Sequence, residues 1–349
     1  MQVLALMTEA FGARGGIQAF NRHWLRALAA EPASHVDVLA TGGGRWTEPF
    51  IHQRSAATKA RYVATAFSLA AERPDLLLCG HISLLPLAGW LARRSNIPLW
   101  LQLHGIECWQ PPKRRWRQWG LSRVTLASAV SRYTRERFLS WSTLQDHQAV
   151  IVPNTVPDDC FGEADCEDII GGPYLLSVGR LDSQEAYKGH DGIIAGMPKV
   201  LAQHPQLKFV VAGEGDDQAR LEALAESHGV MDKVVFLGYV SRAQLLTLYR
   251  QAELFVMPSQ GEGFGIVFLE ALANGCPVLG QGLDGSADPL SLSVGCHRSG
   301  KDLAESILNV LDASSDLDRS ALPDLIKQRF GLPLFEQKVK QIARQLVTR

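Results

Sequence analysis

Residues 258–278 read PSQGEGFGIVFLEALANGCPV, which is the end of an apolar strand, a glycine-rich turn and the start of a helix. Glu262 lies in the turn, and Glu270 follows eight residues later inside the helix. At 3.6 residues per helical turn, the second carboxylate falls on the helix side that faces the first. The pattern therefore predicts two acidic side chains directed at one place.

Three glycines, Gly261, Gly263 and Gly265, let the backbone of this turn bend sharply and come close to a ligand. The free amides of Phe264, Gly265 and Ile266 form a helix amino terminus that suits an anion. A phosphate cradle beside two hydroxyl-binding carboxylates fits a sugar nucleotide, which carries a diphosphate between two polyols. The alternative is a strand, a turn and an amphipathic helix whose acids face water, since glycine-rich loops are common without a ligand.

The same stretch resembles the donor-site motif of retaining glycosyltransferases of family 4, also called glycosyl transferases group 1. The resemblance includes the paired glutamates and the Glu-Ala-x-Ala-x-Gly-x-Pro-Val run that begins at Glu270. It implies that Glu262 holds sugar hydroxyls, that Glu270 holds the ribose, and that Gly263, Phe264 and Gly265 contact the donor. It also implies a GT-B fold, with two Rossmann-like lobes, an interdomain cleft and a carboxyl-terminal helix that crosses back to the first lobe.

Short apolar runs alternate with helical periodicity along both halves of the chain. This alternation predicts an α/β protein with two doubly wound, parallel sheets that are covered on both faces. The predicted strands are residues 3–7, 36–40, 76–79, 99–103, 124–127 and 149–152 in the first half, and 174–178, 208–212, 234–237, 254–257 and 277–280 in the second.

An acidic stretch at residues 158–172 ends in turn formers and is the best linker candidate. We therefore expect an acceptor-binding domain at 1–165, a donor-binding domain at 172–328 and a returning helix at 329–349. In doubly wound sheets, ligands bind beyond the carboxyl ends of the strands, where the glycine-rich turn also lies.

Two permanent cations follow the strand that ends at Val178. Arg180 comes directly after that strand, and Lys188 precedes a helix. At a cleft mouth they can neutralise a diphosphate leaving group, although a pair of solvated surface charges explains the residues alone equally well. The segment is similar to the family's Gly-Arg-Leu and Lys-Gly motif, which implies that both residues bind the donor diphosphate.

Two other turns of the second half also resemble parts of the family's donor site. Gly213 begins a Gly-Glu-Gly-Asp turn after an apolar strand, and an ordinary glycine-containing loop without a ligand explains this turn nearly as well. Residues 236–240 resemble the stretch whose following loop holds the nucleotide base, so Val240 is a further candidate. Base contacts there tend to come from backbone groups, and the sequence leaves the identity of the base open.

In the first half, residues 12–16 (GARGG) follow the first strand and fail the Gly-x-Gly-x-x-Gly pattern of a dinucleotide site. Gly15 and Gly16 match the family's Gly-Gly loop, which implies a position near the reacting sugar and the acceptor. His104 matches the family's catalytic-centre histidine, which can touch the transferring sugar and steady developing positive charge through its backbone carbonyl. Without the resemblance, a single histidine is more often structural.

Three segments match the family only in part. Ser131 and Thr134 look like its Ser-x-x-Thr segment, and a helix N-cap is the better interpretation of Ser131. Thr155 and Pro157 replace a glycine and an aspartate, so we predict no ligand contact there. Residues 284–288 keep one glycine of the family's Gly-Gly-x-x-Glu loop and shorten its acid, which leaves the donor contacts of that loop open.

The bulk composition excludes several classes of function. A formal net charge of −1 argues against a general nucleic-acid binder. No apolar run approaches the roughly 18 residues that cross a bilayer, and the amino terminus lacks the basic region of a signal peptide, so we expect a cytoplasmic protein. The six cysteines show no zinc spacing and are expected to be reduced. Asp316 and Asp318 read as a solvated turn, so no metal site is predicted.

Cations alternate with tryptophans between residues 109 and 119, and this composition suits an anionic bilayer surface. The alternative is a solvated face with some core tryptophan. The members of this basic aromatic segment are Trp109, Lys113, Arg114, Arg115, Trp116, Arg117 and Trp119. Membrane contact favours a lipid-linked glycan acceptor, as in bacterial surface polysaccharide assembly, and a peripheral position on the inner face of the cell membrane.

The predicted function is retaining, metal-independent transfer of a hexose from a UDP- or GDP-sugar to an acceptor hydroxyl. No cofactor is expected, because the nucleotide sugar is itself the co-substrate. Two alternatives remain open: a sugar-nucleotide epimerase on the same architecture, and a non-catalytic sugar-nucleotide sensor. The epimerase would form product from the donor alone, whereas a transferase requires an acceptor.

Overall fold

The computed structural model describes residues 1–8, 15–41, 48–113, 115–161, 169–292 and 294–348, without the side chains of residues 115, 117 and 184–186. The chain forms two compact units, one of Met1–Thr155 with Leu332–Arg349 and one of Val156–Gly331. The division between residues 155 and 156 lies upstream of the whole acidic stretch, of which residues 162–168 fall outside the described residues.

The first unit is built on a seven-stranded parallel sheet of order β3-β2-β1-β4-β5-β6-β7. Its central strands are buried on both faces, as continuous apolar runs in a parallel sheet require. The strands are β1 (Gln2–Leu6), β2 (His35–Ala40), β3 (Ile51–Ser55), β4 (Leu76–Cys79), β5 (Leu99–Leu103), β6 (Val124–Ala129) and β7 (Ala149–Ile151).

Helices connect these strands, and short side chains cap two of them. Thr58 accepts a hydrogen bond from the Arg61 amide at 3.2 Å, and Ser131 accepts one from the Thr134 amide at 3.1 Å. The predicted N-cap role of Ser131 is therefore confirmed. The helices are α1 (Gly16–Ala29), α2 (Lys59–Ala71), α3 (Leu85–Ser95) and α4 (Arg132–Leu139).

The second unit carries a six-stranded parallel sheet of order β10-β9-β8-β11-β12-β13, so the predicted α/β class with two doubly wound sheets is confirmed. Its strands are β8 (Tyr174–Val178), β9 (Lys208–Ala212), β10 (Val234–Gly238), β11 (Leu254–Met257), β12 (Val278–Gly280) and β13 (Cys296–Arg298). Its helices are α5 (His190–Leu201), α6 (Gln218–Ser227), α7 (Arg242–Gln251), α8 (Ile266–Ala273), α9 (Leu303–Ser314) and α10 (Ala321–Phe330).

The last helix, α11 (Leu332–Val347), belongs to the first unit and packs on α1. The Phe335 ring lies 5.5 Å from that of Phe20 and 5.8 Å from that of Trp24, and Arg344 forms an ion pair with Glu31 at 2.9 Å. The chain thus returns to its first unit, as the predicted crossover helix requires. Among the described residues, no helix combines the length and hydropathy of a membrane span.

Candidate functional site

Several predicted donor-site residues of the second unit lie where the order of the strands in its sheet reverses. Strand order runs outward from the neighbouring strands β8 and β11, so their carboxyl ends flank the topological switch point. In open α/β sheets, ligands bind in the crevice at such a point. The loop after β8 carries Arg180 and Lys188, and the loop after β11 carries Glu262.

The two cations of the first loop lie close together. Lys188 is 9% exposed, and its Nζ donates a hydrogen bond to the backbone oxygen of Arg180 at 3.2 Å, while Arg180 itself is exposed. A side chain at Gly179 would place its Cβ 3.0 Å from that Nζ, so glycine leaves room for the ammonium group. The loop therefore holds a nearly buried positive charge beside an exposed one.

The Gly213 turn supports this loop from the neighbouring strand. Gly213 has a φ of 149°, and a Cβ there would lie 1.8 Å from the backbone oxygen of Gly179. At Gly215, a Cβ would lie 1.9 Å from the backbone oxygen of Leu181, whose amide donates to the Glu214 oxygen at 3.0 Å. Close backbone packing thus explains both glycines, and a direct donor contact of Gly213 stays a prediction.

The Glu262 turn is held by an aspartate of the loop after β12, which no local sequence pattern marks as a support. Asp284 is 3% exposed, and its Oδ2 accepts the Glu262 amide at 2.8 Å. Its Oδ1 accepts the amide of Ser286 at 2.9 Å and the hydroxyl of Ser286 at 2.6 Å. The departure from the family's Gly-Gly loop therefore fixes the backbone of the catalytic candidate. A buried carboxylate accepting several donors could not be read from one aspartate in a loop.

Gly285 brings the two loops into backbone contact. Its amide donates to the Glu262 oxygen at 2.9 Å, and a Cβ there would lie 1.9 Å from the backbone oxygen of Gly263. Gly285 is the one glycine that this loop shares with the family. Close backbone packing within the second unit thus explains why this position is glycine.

Helix α8 starts at this turn without a side-chain cap. Gly265 occupies its N-cap position at a φ of 83°, a left-handed conformation that disfavours other residues. Phe264 is buried and meets the ring of Phe330 at 6.0 Å, which anchors the backbone just before the helix. The uncapped amino terminus and its dipole suit an anionic ligand.

Glu270, the second glutamate of the pair, lies on α8 in a charged cluster. Its Oε1 accepts from Arg242 at 2.6 Å, and its Oε2 accepts from the Tyr249 hydroxyl at 3.4 Å. Burial opposes the charge of Arg242, but the carboxylates of Glu270 and Asp159 raise the pKa of the guanidinium. Burial also disfavours the charged form of Tyr249, and for a hydroxyl this raises the pKa. Each carboxylate oxygen of Glu270 keeps a further acceptor position, so its predicted contact with a ribose is compatible with these bonds.

The loop after β10 connects the base-side candidate to this cluster. Val240 is half-buried, and Ser241 caps α7 with its hydroxyl while Gln244 completes the capping box. Arg242 follows at once and reaches Glu270. The structure therefore brings the Val240 loop and Glu270 together through one arginine.

Loops of the same sheet edge border a cavity of about 350 Å³. Tyr187 and Gly189 line it from the loop after β8, and Pro258 and Gln260 line it from the loop after β11. Gln281 after β12, and Ser299 and Lys301 after β13, also line it.

His104 lies in the first unit, after β5. Its Nε2 bonds to the backbone oxygen of Gly80 at 2.8 Å, and because a carbonyl only accepts, Nε2 carries the proton. Burial lowers the pKa of His104, although the Glu107 charge opposes this shift, and Glu107 also accepts the His104 amide at 2.8 Å. The ring is therefore neutral and fixed after the end of its strand.

The glycine loop of the first unit is described only from Gly15 onward, because residues 12–14 lie outside the described residues. Gly15 precedes α1 in extended backbone, and Gly16 opens that helix. His104, Gly15 and Gly16 belong to the first unit, and the other predicted site residues belong to the second.

The basic aromatic segment divides into core and surface residues. The indole of Trp109 donates to the Thr134 hydroxyl at 3.1 Å, and the half-buried side chain packs on the core, which does not support its predicted place at a lipid surface. Trp116 and Trp119 are 58% and 45% exposed, and Lys113 is exposed as well. Arg114 lies outside the described residues, as do the side chains of Arg115 and Arg117.

The described site can therefore neutralise a diphosphate with Arg180, Lys188 and the α8 amides, and it can accept hydrogen bonds from hydroxyl groups at Glu262 and Glu270. Asp316 and Asp318 are both exposed, as the predicted solvated turn requires, and Asp318 Oδ1 accepts the amide and the hydroxyl of Ser320.

Two protein families match the chain, one in each half. Glycosyltransferase Family 4 matches residues 14–159, and Glycosyl transferases group 1 matches residues 170–291.

Among the relatives, an uncharacterized glycosyltransferase of Methanocaldococcus jannaschii is 47% identical over 111 residues, which are 32% of this chain and 27% of that protein. A phosphatidyl-myo-inositol mannosyltransferase of Mycobacterium leprae is 27% identical over 210 residues, which are 57% of this chain and 52% of that protein. The matched segments thus span about a quarter and about half of these two curated relatives.

The Anabaena protein HepE, solved in complex with UDP and glucose, shares the fold with a TM-score of 0.75. The two chains are 17% identical, and the match covers 100% of each. This likeness establishes the fold.

Proposed function

The chain belongs to the family 4 and group 1 glycosyltransferases and has the GT-B fold, and on that premise we propose that it transfers a hexose from a UDP- or GDP-sugar to an acceptor hydroxyl, with retained configuration and without a metal ion. One observation carries the proposal. The loops that hold Arg180, Lys188 and Glu262 follow β8 and β11, the two neighbouring strands at which the strand order of the second sheet reverses.

The leaving group is the first chemical demand of this reaction. When the bond between the sugar and the diphosphate breaks, negative charge grows on the phosphate oxygen. Lys188 and Arg180 provide fixed positive charge for it, and the uncapped α8 amides provide dipoles. Prearranged groups of this kind stabilise charge that develops in a transition state without reorganising.

The acceptor is the second demand. Retention requires attack on the face from which the diphosphate departs, so the departing phosphate oxygen can take the proton of the acceptor hydroxyl. No protein side chain is then needed as the base. The backbone carbonyl of His104 is assigned the role of steadying positive charge on the sugar. The Gly15–Gly16 loop is assigned to the transferring sugar of the donor and to the neighbouring acceptor.

The glutamates orient the donor. Glu262 accepts hydrogen bonds from sugar hydroxyls, Glu270 accepts those of the ribose, and both act as ionised carboxylates. Asp284 supports the first role, because it fixes the Glu262 backbone. The loop that follows β10, which includes Val240, is assigned to the base.

The acceptor is proposed to be a lipid-linked glycan of bacterial surface polysaccharide synthesis, reached at the inner face of the cell membrane. Exposed Trp116 and Trp119 support contact with lipid headgroups. The name of the M. leprae relative also pairs a lipid with a glycosyl transfer. A liposome flotation assay tests this part, and unchanged lipid binding after Trp116→Ala, Trp119→Ala and glutamate at positions 114, 115 and 117 would refute it.

A thermal-shift panel of UDP, GDP and their sugars tests the donor assignment and identifies the base. Transfer is then measured with the stabilising sugar nucleotide and a set of lipid-linked acceptors. Product that forms from the donor alone would favour the epimerase, and tight donor binding without turnover across the acceptors would favour the sensor. A protein that none of these nucleotides stabilises would contradict the proposal.

A further inference from the structure

Three potential metal ligands meet at one edge of the first sheet. Asp37 of β2 is directly paired with His52 of β3, the edge strand. His35 lies two residues before Asp37 on the same strand, and residues two apart in a strand point to the same face. The strand register therefore places all three side chains on one side of the sheet.

The side chains converge in space as well as in register. One ligand atom from each of the three residues lies within 4.8 Å of the others. The rings of His35 and His52 meet edge to face, with their centroids 4.1 Å apart. His35 and Asp37 are half-buried and His52 is exposed, so the cluster is open to an ion from solvent.

The geometry points to a site for one divalent transition-metal ion, of which Zn²⁺ is the best match. Two imidazole nitrogens and one carboxylate oxygen form a ligand set that Zn²⁺ accepts, and its fourth position stays open for water. Two ligands at ~2.1 Å from one Zn²⁺ ion lie at most about 4 Å apart, so small side-chain rotations complete the site. Mg²⁺ and Ca²⁺ prefer oxygen ligands and fit two imidazoles poorly.

Such an ion would act as a clip on the edge of the first unit. It would join β3 to β2 through side chains, in addition to their backbone pairing. An ion that binds the folded chain and not the unfolded chain raises stability by mass action. The site is independent of glycosyl transfer, because none of its three residues belongs to the proposed donor site.

Titration of the tag-free, full-length protein with Zn²⁺ against a chromophoric chelator tests the site. We expect one equivalent bound and a higher melting temperature with Zn²⁺. Even outer-shell partners of metal ligands are worth about ten- to a hundredfold in affinity, so His52→Ala and Asp37→Asn should weaken binding by at least about tenfold and abolish the thermal shift.

His147→Ala is the matched control, because His147 is an exposed histidine of the same unit outside the cluster. It should leave both the affinity and the thermal shift unchanged. Circular dichroism would show that every variant folds, which the exposed edge position of His52 favours. Absence of stoichiometric Zn²⁺ binding by the unaltered protein, or equal affinity in His52→Ala and the unaltered protein, would overturn the inference.

Discussion

At the residue scale, the proposed chemistry depends most on Lys188 and Glu262. Lys188 is nearly buried, so its charge is less screened by solvent than that of Arg180. Glu262 depends on its neighbours for position, because Asp284 holds its amide and Gly285 its carbonyl.

Lys188→Ala and Glu262→Ala should each lower the transfer rate by about 10²- to 10³-fold, the usual effect of removing one preorganised stabilising group. The measurement is the turnover rate at saturating donor, with circular dichroism to show that the fold is kept. Lys199→Ala and Glu226→Ala are matched controls, because both are exposed residues of the same unit outside the site. Near-normal turnover in either site variant would count against the assignment.

Asp284→Ala removes the acceptor of three hydrogen bonds and should cost about 2–3 kcal/mol of unfolding free energy. Because the Glu262 turn then loses its support, transfer should fall even where the variant remains folded. Urea unfolding and donor KM measure the two effects separately. Asp284→Asn keeps one carbonyl acceptor and should recover part of both; if it is no better than alanine while both variants fold, the positioning role is wrong.

At the element scale, the site depends on close backbone packing between the loops that follow neighbouring strands. The Gly213 turn after β9 packs on the loop after β8, and the Gly285 turn after β12 packs on the loop after β11. Each turn approaches at distances that exclude a Cβ atom. Neighbouring parallel strands therefore align the site loops through their backbones as well as through side chains.

Gly213→Ala should destabilise the protein by about 2–3 kcal/mol, because its Cβ would lie 1.8 Å from the Gly179 oxygen and the backbone must move. Gly229→Ala is the matched control, since Gly229 also has positive φ but nothing lies within 4 Å of its Cβ position. The control should lose only about 1 kcal/mol from its backbone conformation. Urea unfolding compares the two, and equal losses would show that the close contact is unimportant.

At the scale of the whole molecule, several histidines are held in the neutral form. Burial lowers the pKa of His81, His104, His190 and His297, and it lowers that of His190 to about 4. These residues lie in both units. Lowering the pH should therefore reduce the free energy of unfolding of the protein, with contributions from both units.

The contribution of His190 to this loss of stability in acid can be measured. Its pKa falls from 6.5 to about 4 on folding, so the unfolded chain binds more protons between these values and stability is lost as the pH falls from 6.5 toward 4. The loss is at most roughly 3 kcal/mol from this group. Urea unfolding at pH 7 and pH 4.5 measures it. His190→Gln should reduce the difference between the two pH values, and an unchanged difference would refute this source.

Much of the architecture could be predicted from the sequence, because buried parallel strands are continuous apolar runs. The segments that separate these runs differ clearly from them in composition. The predicted central strands agree with the observed ones to within about two residues. Two of the four edge strands, β3 and β13, lack an apolar run in the sequence, since one of them contains His52 and Arg54 and the other His297 and Arg298. A solvated edge strand can carry polar and charged residues and so lose its apolar signature, as β3 and β13 do, whereas the edge strands β7 and β10 keep theirs.

The sequence by itself determined the alternating α/β order, the identity of the cations and glutamates, and their places after strand ends, because these depend on local pattern and spacing. Only the tertiary structure decided that Asp284 supports Glu262, that Arg242 holds Glu270, that Trp109 packs on the core, and that His35, Asp37 and His52 form one cluster. These contacts join residues that strand order and register bring together, and neither strand order nor register is written in the local sequence.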